Sequence, residues 1–277
     1  FEKNICKLTN SKFAVVCNNG TSALMMSILS LNIKNPIVII PNINFVASSS
    51  ILALMKAKII LCDVNVKTGM VDETCLISIL KKCKNKKIKP NLFIPIHYAG
   101  DILNMKNLSI ICKKNNIKII EDGCHSFGSK SIQKNQSYTV GHSKYSEMTT
   151  FSFHPVKNIT TIEGGAITTN NKKLYRNLLL LRSHSLEKTF KSDPYKMLNP
   201  SLNFRMAEIN AIIGIDQLKK LSYFKKYKNN LVKEYLNKFK KLENFFTPIN
   251  FIKSEICWHI FAIRLKNKYF NKKEKFM

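Results

Sequence analysis

The sequence of 277 residues has few acidic side chains and no long apolar run, and these shortages exclude some classes of protein. It contains 17 Asp and Glu residues against 45 Lys and Arg residues. A membrane-spanning helix needs about 18 or more consecutive apolar residues, and no stretch approaches that length. The start of the chain shows neither a signal-peptide pattern nor an initiator Met. We therefore expect no membrane association, and further sequence upstream of Phe1.

The eight cysteines also lack a familiar arrangement. They form no C-x-x-C pair and no zinc-ligand spacing, so we expect no metal site. Several lie inside apolar runs, where a free cysteine behaves as a small hydrophobic residue. A reducing, cytoplasmic setting fits this usage best.

The excess of lysine gives a net charge of +28 and a pI near 9.8. Such a charge is typical of proteins that bind nucleic acid through basic surfaces. However, the lysines are spread along the whole chain among many Asn and Ile residues, a mixture that A/T-rich codons would produce. We expect no nucleic-acid partner, and a positive field that attracts phosphate-bearing molecules.

Apolar, β-rich runs alternate with helical patterns through the first two thirds of the chain. This order predicts an α/β fold, with a mostly parallel sheet covered by helices on both faces. The predicted strands are 13–17, 37–40, 58–62, 92–96, 117–121, 148–153 and 165–169, and the predicted helices are 21–31, 45–55, 72–82 and 103–115.

The pattern changes towards the C-terminus. A long helix is predicted over 206–241, apolar in its first half and lysine-rich in its second, followed by one strand at 259–265. We expect a large ligand-binding domain over 1–225, and a connecting helix with an incomplete small domain over 226–277.

The run NNGTSAL at 18–24 lies between a predicted strand and a predicted helix. A helix N-terminus offers unpaired N–H groups and a positive dipole end, and a glycine lets an anion approach the backbone. Gly20, Thr21 and Ser22 are therefore candidate phosphate-binding residues. An ordinary N-cap, where Thr and Ser are common, accounts for the same residues.

The run EDGCH at 121–125 places carboxylates at the carboxyl end of a predicted strand, where open α/β sheets bind ligands. An aspartate there, such as Asp122, can hold a pyridinium nitrogen protonated and make the ring an electron sink. The alternative is that Asp122 caps the next turn and His125 is a satisfied core imidazole.

The run FSFHPVKNITTIEGG at 151–165 surrounds Lys157 with an apolar strand, a proline-stiffened turn and an acidic Gly-Gly turn. A lysine removed from water is a nucleophilic amine that forms imines. Lys157 is the candidate nucleophile, and an exposed surface lysine is the alternative. The run LNFRMAEINA at 202–211 offers Asn203 and Arg205 as ligand groups, although an N-cap and a solvated charge would look the same.

In this order and spacing, the runs resemble the DegT/StrS family of nucleotide-sugar aminotransferases over residues 15–221, and more faintly over 258–265. The most specific part is SFHPVK at 152–157 with TTIEGG at 160–165, and PNINFVAS at 41–48 and PIHYAG at 95–100 support it. The resemblance implies the type I, aspartate-aminotransferase-like fold and the cofactor pyridoxal 5′-phosphate. Family members begin earlier and end later than this sequence.

The resemblance also implies a role for each matching residue. Lys157 would carry the cofactor as an imine, and Asp122 would pair with the pyridine nitrogen. Phe45 would lie on the ring face, with His125 near the ring hydroxyl. The cofactor phosphate would be held by Thr21, Ser22 and Ser152, at the turn that contains Gly20, and by Asn203 of a neighbouring subunit, because active sites in the family lie at a homodimer interface.

The implied reaction is a ping-pong transamination in which an amino donor, expected to be glutamate, supplies nitrogen to a nucleotide-linked keto-sugar. HPVK at 154–157, DGCH at 122–125 and NFRM at 203–206 look most like the enzymes that aminate a UDP-4-keto-6-deoxy-HexNAc on the way to pseudaminic acid. Alternatives are another 4-keto-sugar, such as a perosamine or aminoarabinose precursor, an inactive remnant that binds cofactor, and a basic nucleic-acid-binding protein. Lys157 argues against the related sugar dehydratases, which have His at that place.

Overall fold

The protein is described by a computed structural model that covers residues 1–133, 136–188, 194–249, 254–266 and 269. Its helices are α1 (Glu2–Thr9), α2 (Gly20–Ser30), α3 (Val46–Leu54), α4 (Glu73–Asn85), α5 (Met105–Lys114), α6 (Lys172–Arg182) and α7 (Glu208–Phe239). Its strands are β1 (Phe13–Cys17), β2 (Ile37–Pro41), β3 (Lys58–Cys62), β4 (Leu92–Phe93), β5 (Lys118–Asp122), β6 (Lys130–Gln133), β7 (Gln136–Thr139), β8 (Met148–Ser152), β9 (Gly165–Thr169), β10 (Leu186–Lys188), β11 (Tyr195–Met197), β12 (Phe246–Pro248), β13 (Ser254–Glu255) and β14 (Ile263–Leu265). Short 3₁₀ turns lie at Tyr98–Gly100 and Lys240–Leu242.

Seven strands form the central sheet in the order β1-β9-β8-β5-β4-β2-β3. The pairs β2–β3, β2–β4, β4–β5 and β5–β8 are parallel. Strand β9 runs antiparallel to both of its neighbours, β1 and β8. The mostly parallel sheet predicted from the sequence is therefore confirmed, with one reversed strand.

Both faces of the sheet are buried under helices, which confirms the second part of the prediction. On one face, Ile39 of β2 belongs to a core that includes Leu76 of α4 and Leu108 of α5. On the other face, Ile40 of the same strand belongs to a core with Leu178 of α6 and several residues of α2. Strand β2 is apolar on both faces because each face packs against helices.

Three helices that cover the sheet have N-termini capped by Asn or Asp side chains. The side chains of Asn19, Asp72 and Asn171 accept backbone N–H groups in the first turns of α2, α4 and α6, as expected of N-cap residues. Helices α1 and α6 were not predicted from the sequence. Within the described ranges, no helix is long and apolar enough to cross a membrane.

The long helix α7 spans 32 residues without interruption, so the predicted domain boundary after residue 225 falls inside it. Leu221 belongs to the main core, whereas Val232 packs in a small cluster with Ile256 and Trp258. The two-domain division stays a prediction. The strand predicted over 259–265 was wrong at its start and begins at Ile263, because the backbone N–H groups of residues 259 and 260 bond to the carbonyl of Ala99 instead of a neighbouring strand.

Candidate active site

A cavity of about 450 Å³ lies at the carboxyl ends of the parallel strands, where open α/β sheets bind ligands. Its wall contains the first turn of α2, the start of α3, the end of β5 and the loop after β8. The lining residues are Asn19, Gly20, Thr21, Leu24, Phe45, Ala47, Ser48, Ile96, Asp122, Cys124, His125, Thr150, Ser152, His154, Val156, Lys157 and Glu163. Seven of the predicted site residues therefore share one cavity.

A larger hollow of about 1040 Å³ lies near the opposite edge of the sheet, between the C-terminal ends of α4 and α5. Its polar lining consists of four lysines and three asparagines, with no carboxylate. The larger hollow has no carboxylate and none of the predicted site residues. The smaller cavity is therefore the candidate active site.

The N-terminus of α2 forms part of the cavity wall. The side chain of Asn19 accepts the N–H of Ser22 at 2.8 Å, while Gly20 and Thr21 face the cavity. A Cβ atom at Gly20 would lie 2.6 Å from the Cβ of Ser152. The absence of a side chain at Gly20 therefore brings the helix N-terminus and the Ser152 hydroxyl together, and both are suited to bind an anion.

Asp122 is the last residue of β5 and is buried. Its backbone is fixed on both sides, since its N–H donates to the Pro95 carbonyl at 2.8 Å and its carbonyl accepts the N–H of His97 at 3.0 Å. One carboxylate oxygen accepts the N–H of Cys124 at 3.0 Å. Asp122 thus presents a well-oriented carboxylate to the cavity.

Lys157 lies in a loop that is closed at its base. The N–H of Phe153 donates to the Gly164 carbonyl at 2.8 Å, and the Phe153 carbonyl accepts the N–H of Thr161 at 2.9 Å. A tight turn, in which the Lys157 N–H donates to the His154 carbonyl at 2.9 Å, directs the half-buried lysine towards the cavity. The backbone hydrogen bonds of this loop therefore fix the position of Lys157.

Two imidazoles lie beside Lys157. The ring centroids of His125 and His259 are 4.5 Å apart, and Nε2 of His259 is 3.4 Å from Lys157 Nζ. Burial, and then the positive charge of Lys157, lower the pKa of His125 to about 3 and that of His259 to about 4. Both rings are therefore neutral at physiological pH, and both Nδ1 atoms are buried with no hydrogen-bond partner within the described chain.

Phe45 and the loop residue Ile162 are exposed beside these groups. Phe45 lines the cavity, yet 64% of its surface is accessible. Ile162 follows Lys157 in the closed loop and has a φ of 68°, a left-handed conformation that is strained for a β-branched residue. Strain of this kind is common at functional sites.

Two predicted cofactor residues do not line the cavity. Ser22 is buried and follows Thr21, which does line the cavity, in the first turn of α2. Asn203 is exposed, forms an isolated bridge with Ser183 and accepts the N–H of Arg205 at 3.1 Å. Their phosphate-binding roles stay predictions.

The sequence interpretation missed His259 and the structural role of Asn158. Residues 157 and 259 are 102 positions apart, and a single histidine after a tryptophan carries no local pattern that assigns it to a site. Asn158 has no local pattern that assigns it a role in the site either, and the structure buries it. Within the described ranges, no group of three His, Cys, Asp or Glu residues is arranged to hold a metal ion.

The fold is that of the type I pyridoxal-phosphate enzymes, as in the solved sugar aminotransferases that it resembles. Residues 1–277 match the DegT/DnrJ/EryC1/StrS aminotransferase family along their whole length. The chain therefore belongs to this aminotransferase family, whose enzymes use pyridoxal 5′-phosphate.

Individual relatives agree with this assignment. The UDP-4-amino-4,6-dideoxy-N-acetyl-beta-L-altrosamine transaminase of Campylobacter jejuni is 32% identical over 99% of this chain and 70% of its own length. The structure of Helicobacter pylori PseC, an aminotransferase of pseudaminic acid biosynthesis, superposes with a TM-score of 0.87 at 28% identity, over 99% of this chain and 71% of that one. Bacillus subtilis NtdA, solved with the cofactor PMP, shares the fold with a TM-score of 0.82 at 24% identity, over 98% and 59% of the two chains.

Proposed function

We propose that this aminotransferase transfers an amino group, with glutamate as the donor, to a nucleotide-linked 4-keto-6-deoxy sugar, UDP-4-keto-6-deoxy-HexNAc. The observation that carries the proposal is that Lys157 and Asp122 face one cavity at the carboxyl edge of the sheet. An amine that forms an imine and a carboxylate that keeps a ring nitrogen protonated are the two groups that this chemistry requires of the protein.

The cavity fits pyridoxal 5′-phosphate by the chemistry of its donors. Its lining combines an anion site at the α2 N-terminus, with Thr21 and Ser152, and the side chains of Lys157 and Asp122. The unpartnered Nδ1 of His125 supplies a further polar atom beside them. When bound, the cofactor supplies an aldehyde and an electron-withdrawing ring.

Lys157 has two tasks in this proposal. Its Nζ atom holds the cofactor covalently between turnovers, and once released it moves a proton at the substrate carbon that carries nitrogen. The closed loop from Phe153 to Gly164 keeps the amine in place for both tasks. The neutral rings of His125 and His259 add no competing positive charge next to it.

Asp122 and the phosphate site orient the ring. The carboxylate of Asp122 keeps the pyridine nitrogen protonated, and Phe45 covers one ring face. Thr21, Ser152 and the α2 N-terminus hold the phosphate, Ser22 supports this turn, and Asn203 completes the phosphate site in a second subunit. The roles of Asp122, Phe45, Thr21 and Ser152 are supported by their position in one cavity. Ser22 and Asn203 do not line that cavity.

The sugar is proposed from the named relatives. The C. jejuni and H. pylori transaminases named for the altrosamine product are 32% and 31% identical to this chain over 99% of it. The excess of positive charge, +28 over the chain, favours substrates with a diphosphate. The closest competing substrates are other nucleotide-linked 4-keto-sugars, such as the perosamine or aminoarabinose precursors.

We also propose a homodimer in the cytoplasm. Apolar side chains are exposed at the cavity mouth, since Phe45, Val46 and Val156 are each more than 60% accessible, and such patches mark contact surfaces. The resemblance to the family supports the proposal that Asn203 of the second copy reaches this cavity. The eight cysteines are free thiols, as expected in a reducing compartment.

The decisive experiment is borohydride reduction of the purified protein loaded with pyridoxal 5′-phosphate, followed by peptide mass spectrometry. We expect the label on Lys157, and none in Lys157→Ala, whereas Lys144→Ala, a surface control, labels normally. A panel of UDP-, GDP- and dTDP-linked 4-keto-sugars with glutamate then identifies the substrate. Transamination by Lys157→Ala at the wild-type rate would disprove the mechanism.

Asp122 is tested in the same assay. We expect Asp122→Ala to retain part of the cofactor, since Lys157 and the phosphate site remain, and to lose nearly all turnover because the ring nitrogen is no longer protonated. Asp216→Ala, which removes an exposed carboxylate on α7, is the matched control and should leave both properties unchanged. Normal turnover in Asp122→Ala would remove Asp122 from the proposed site.

A further inference from the structure

The buried amide of Asn158, next to Lys157 in the chain, bonds to three separate backbone carbonyls. Its Nδ2 atom lies 3.2 Å from the carbonyl of His125, 3.1 Å from that of Phe127 and 3.0 Å from that of Cys257. Only 5% of the residue is accessible. One side chain therefore joins the loop after β5, the loop after β8 and the segment before β14.

The orientation of this amide is fixed by chemistry. Its Oδ1 atom accepts a hydrogen bond from Lys228 Nζ of α7 at 3.3 Å, and an ammonium group can only donate. A flipped amide would set Oδ1 against three carbonyl oxygens and its NH₂ group against a cation. Burial lowers the pKa of Lys228, as expected for a lysine that points into this junction.

The three joined segments carry Lys157 and the two imidazoles beside it. His125 lies on the first, Lys157 on the second and His259 on the third. Further contacts tighten the same junction, because Ser129 Oγ accepts the N–H of Cys257 at 2.7 Å and donates to the Gly100 carbonyl at 2.7 Å. A Cβ atom at Gly100 would lie 2.5 Å from the Cys257 carbonyl oxygen, so the segments are in direct contact.

We infer that Asn158 is a positioning residue that holds the rings of His125 and His259 against the Lys157 amine by joining the three segments that carry them. Its geometric part stands on the contacts above, and its consequence for turnover rests on the proposed function. Asn158 itself is not a lining residue of the cavity. It acts through the backbone of residues 125 and 257, each within two positions of the imidazole concerned.

The first test uses the cofactor-free protein, so that it does not depend on the proposed function. Asn158→Asp keeps the shape of the side chain but replaces its donors with a carboxylate that faces three carbonyls. Asn170→Asp is the matched control, because Asn170 also joins loop carbonyls, those of His142 and Ser143, but outside the cavity. Histidine-labelled protein reports the contact between the rings of His125 and His259 as a nuclear Overhauser effect, assigned with His125→Gln and His259→Gln.

We expect the contact between the two rings to be present in the wild type and in Asn170→Asp, and lost in Asn158→Asp. Circular dichroism shows whether both Asp variants are folded. Asn158→Ser, which keeps one donor in a smaller side chain, serves if Asn158→Asp does not fold, and should weaken the contact. An unchanged ring contact in a folded Asn158 variant would overturn the inference.

The second test measures turnover with the cofactor bound. We expect Asn158→Asp to lower kcat on the order of 100-fold, as small displacements of reacting groups do, with a much smaller change in KM and with Asn170→Asp close to wild type. Equal losses in the two variants would indicate a purely structural role and contradict the inference. If the wild type fails to label at Lys157, the proposed function fails, while the ring contact still decides the role of Asn158.

Discussion

The Nε2 atom of His259 lies 3.4 Å from the Nζ atom of Lys157, although 102 residues separate them in the chain. The unprotonated nitrogen of a neutral imidazole accepts a hydrogen bond. Nε2 of His259 can therefore accept one from the Lys157 amine and hold it in place. We predict that His259→Leu lowers kcat roughly 10-fold or more, because the amine loses its orientation. Steady-state kinetics with glutamate as the donor measure the effect.

A control separates the effect on the amine from a general effect of replacing a histidine. His142→Leu is the control, because His142 lies outside the cavity lining and contacts the Asn10 carbonyl. Unchanged kcat in His259→Leu, with normal folding, would show that the contact has no catalytic role.

We predict that the cofactor-free protein becomes less stable as the pH falls from about 6.5 towards 4. Burial lowers the pKa values of His125 and His259 in the folded protein to about 3 and about 4, whereas unfolded histidines bind a proton near their ordinary pKa of 6.5. In that window the unfolded state holds more protons, so acid favours unfolding. The slope is at most about 1.4 kcal/mol per pH unit for each histidine.

The measurement is the urea-unfolding free energy of the wild type and of a His125→Gln, His259→Gln double variant across this pH range. The pKa of Glu147 is raised by burial, which acts in the opposite sense, and the comparison cancels it because both proteins contain it. We expect the double variant to lose less stability on acidification. Parallel pH profiles would mean that the two rings are protonated in the folded protein.

Much of the fold follows from local patterns in the sequence. Strand β2 reads IVIIP and is uniformly apolar, which predicts a strand buried on both faces. The N-cap residue Asn19 and the closely packed Gly20 likewise have sequence patterns that predict a helix start with an anion site. Lys157 and Asp122 follow strands, and parallel strands bring their carboxyl ends to one edge, so their meeting in one cavity was predictable.

Other parts of the site depend on contacts between distant segments. His259 falls in the strand predicted over 259–265, but the backbone N–H groups of residues 259 and 260 bond to the Ala99 carbonyl. Asn158 has nothing in its local sequence that distinguishes it from the other asparagines, because its role depends on carbonyl groups of residues 125, 127 and 257. These features arise from packing across the fold, and no local pattern records them.

A buried carboxylate beneath the site gives a prediction on stability. Glu121, wholly buried, accepts hydrogen bonds from the Tyr138 hydroxyl at 2.7 and 2.8 Å, from Ser146 Oγ at 2.5 Å and from His97 Nε2 at 2.7 Å. We predict that Tyr138→Phe lowers the free energy of unfolding by about 1–3 kcal/mol, because the charge loses a donor that water cannot replace. Chemical denaturation measures the change.

Tyr223→Phe is the matched control, since Tyr223 is 69% exposed and loses a hydroxyl that water solvates. Burial, and then the charge of Glu121, raise the pKa of Tyr138 well above its ordinary value, which keeps the hydroxyl protonated as a donor. If Tyr138→Phe were as stable as Tyr223→Phe, the donors to Glu121 would be exchangeable with solvent.

The apolar rim of the cavity gives the prediction on assembly. Val156 is 62% exposed although it lines the cavity, so an aspartate there is tolerated by a monomer and is buried without a partner in a dimer. We predict that Val156→Asp weakens the dimer roughly 10- to 100-fold. Burying an unpaired charge is unfavourable, and each tenfold loss of affinity corresponds to about 1.4 kcal/mol. Val66→Asp, at an equally exposed valine outside the cavity, should leave the dimer intact.

Sedimentation of both variants, with cofactor binding measured in parallel, tests the shared site. If Val156→Asp dissociates the dimer and cofactor affinity is unchanged, Asn203 of the partner subunit does not hold the phosphate, whereas a joint loss supports that role.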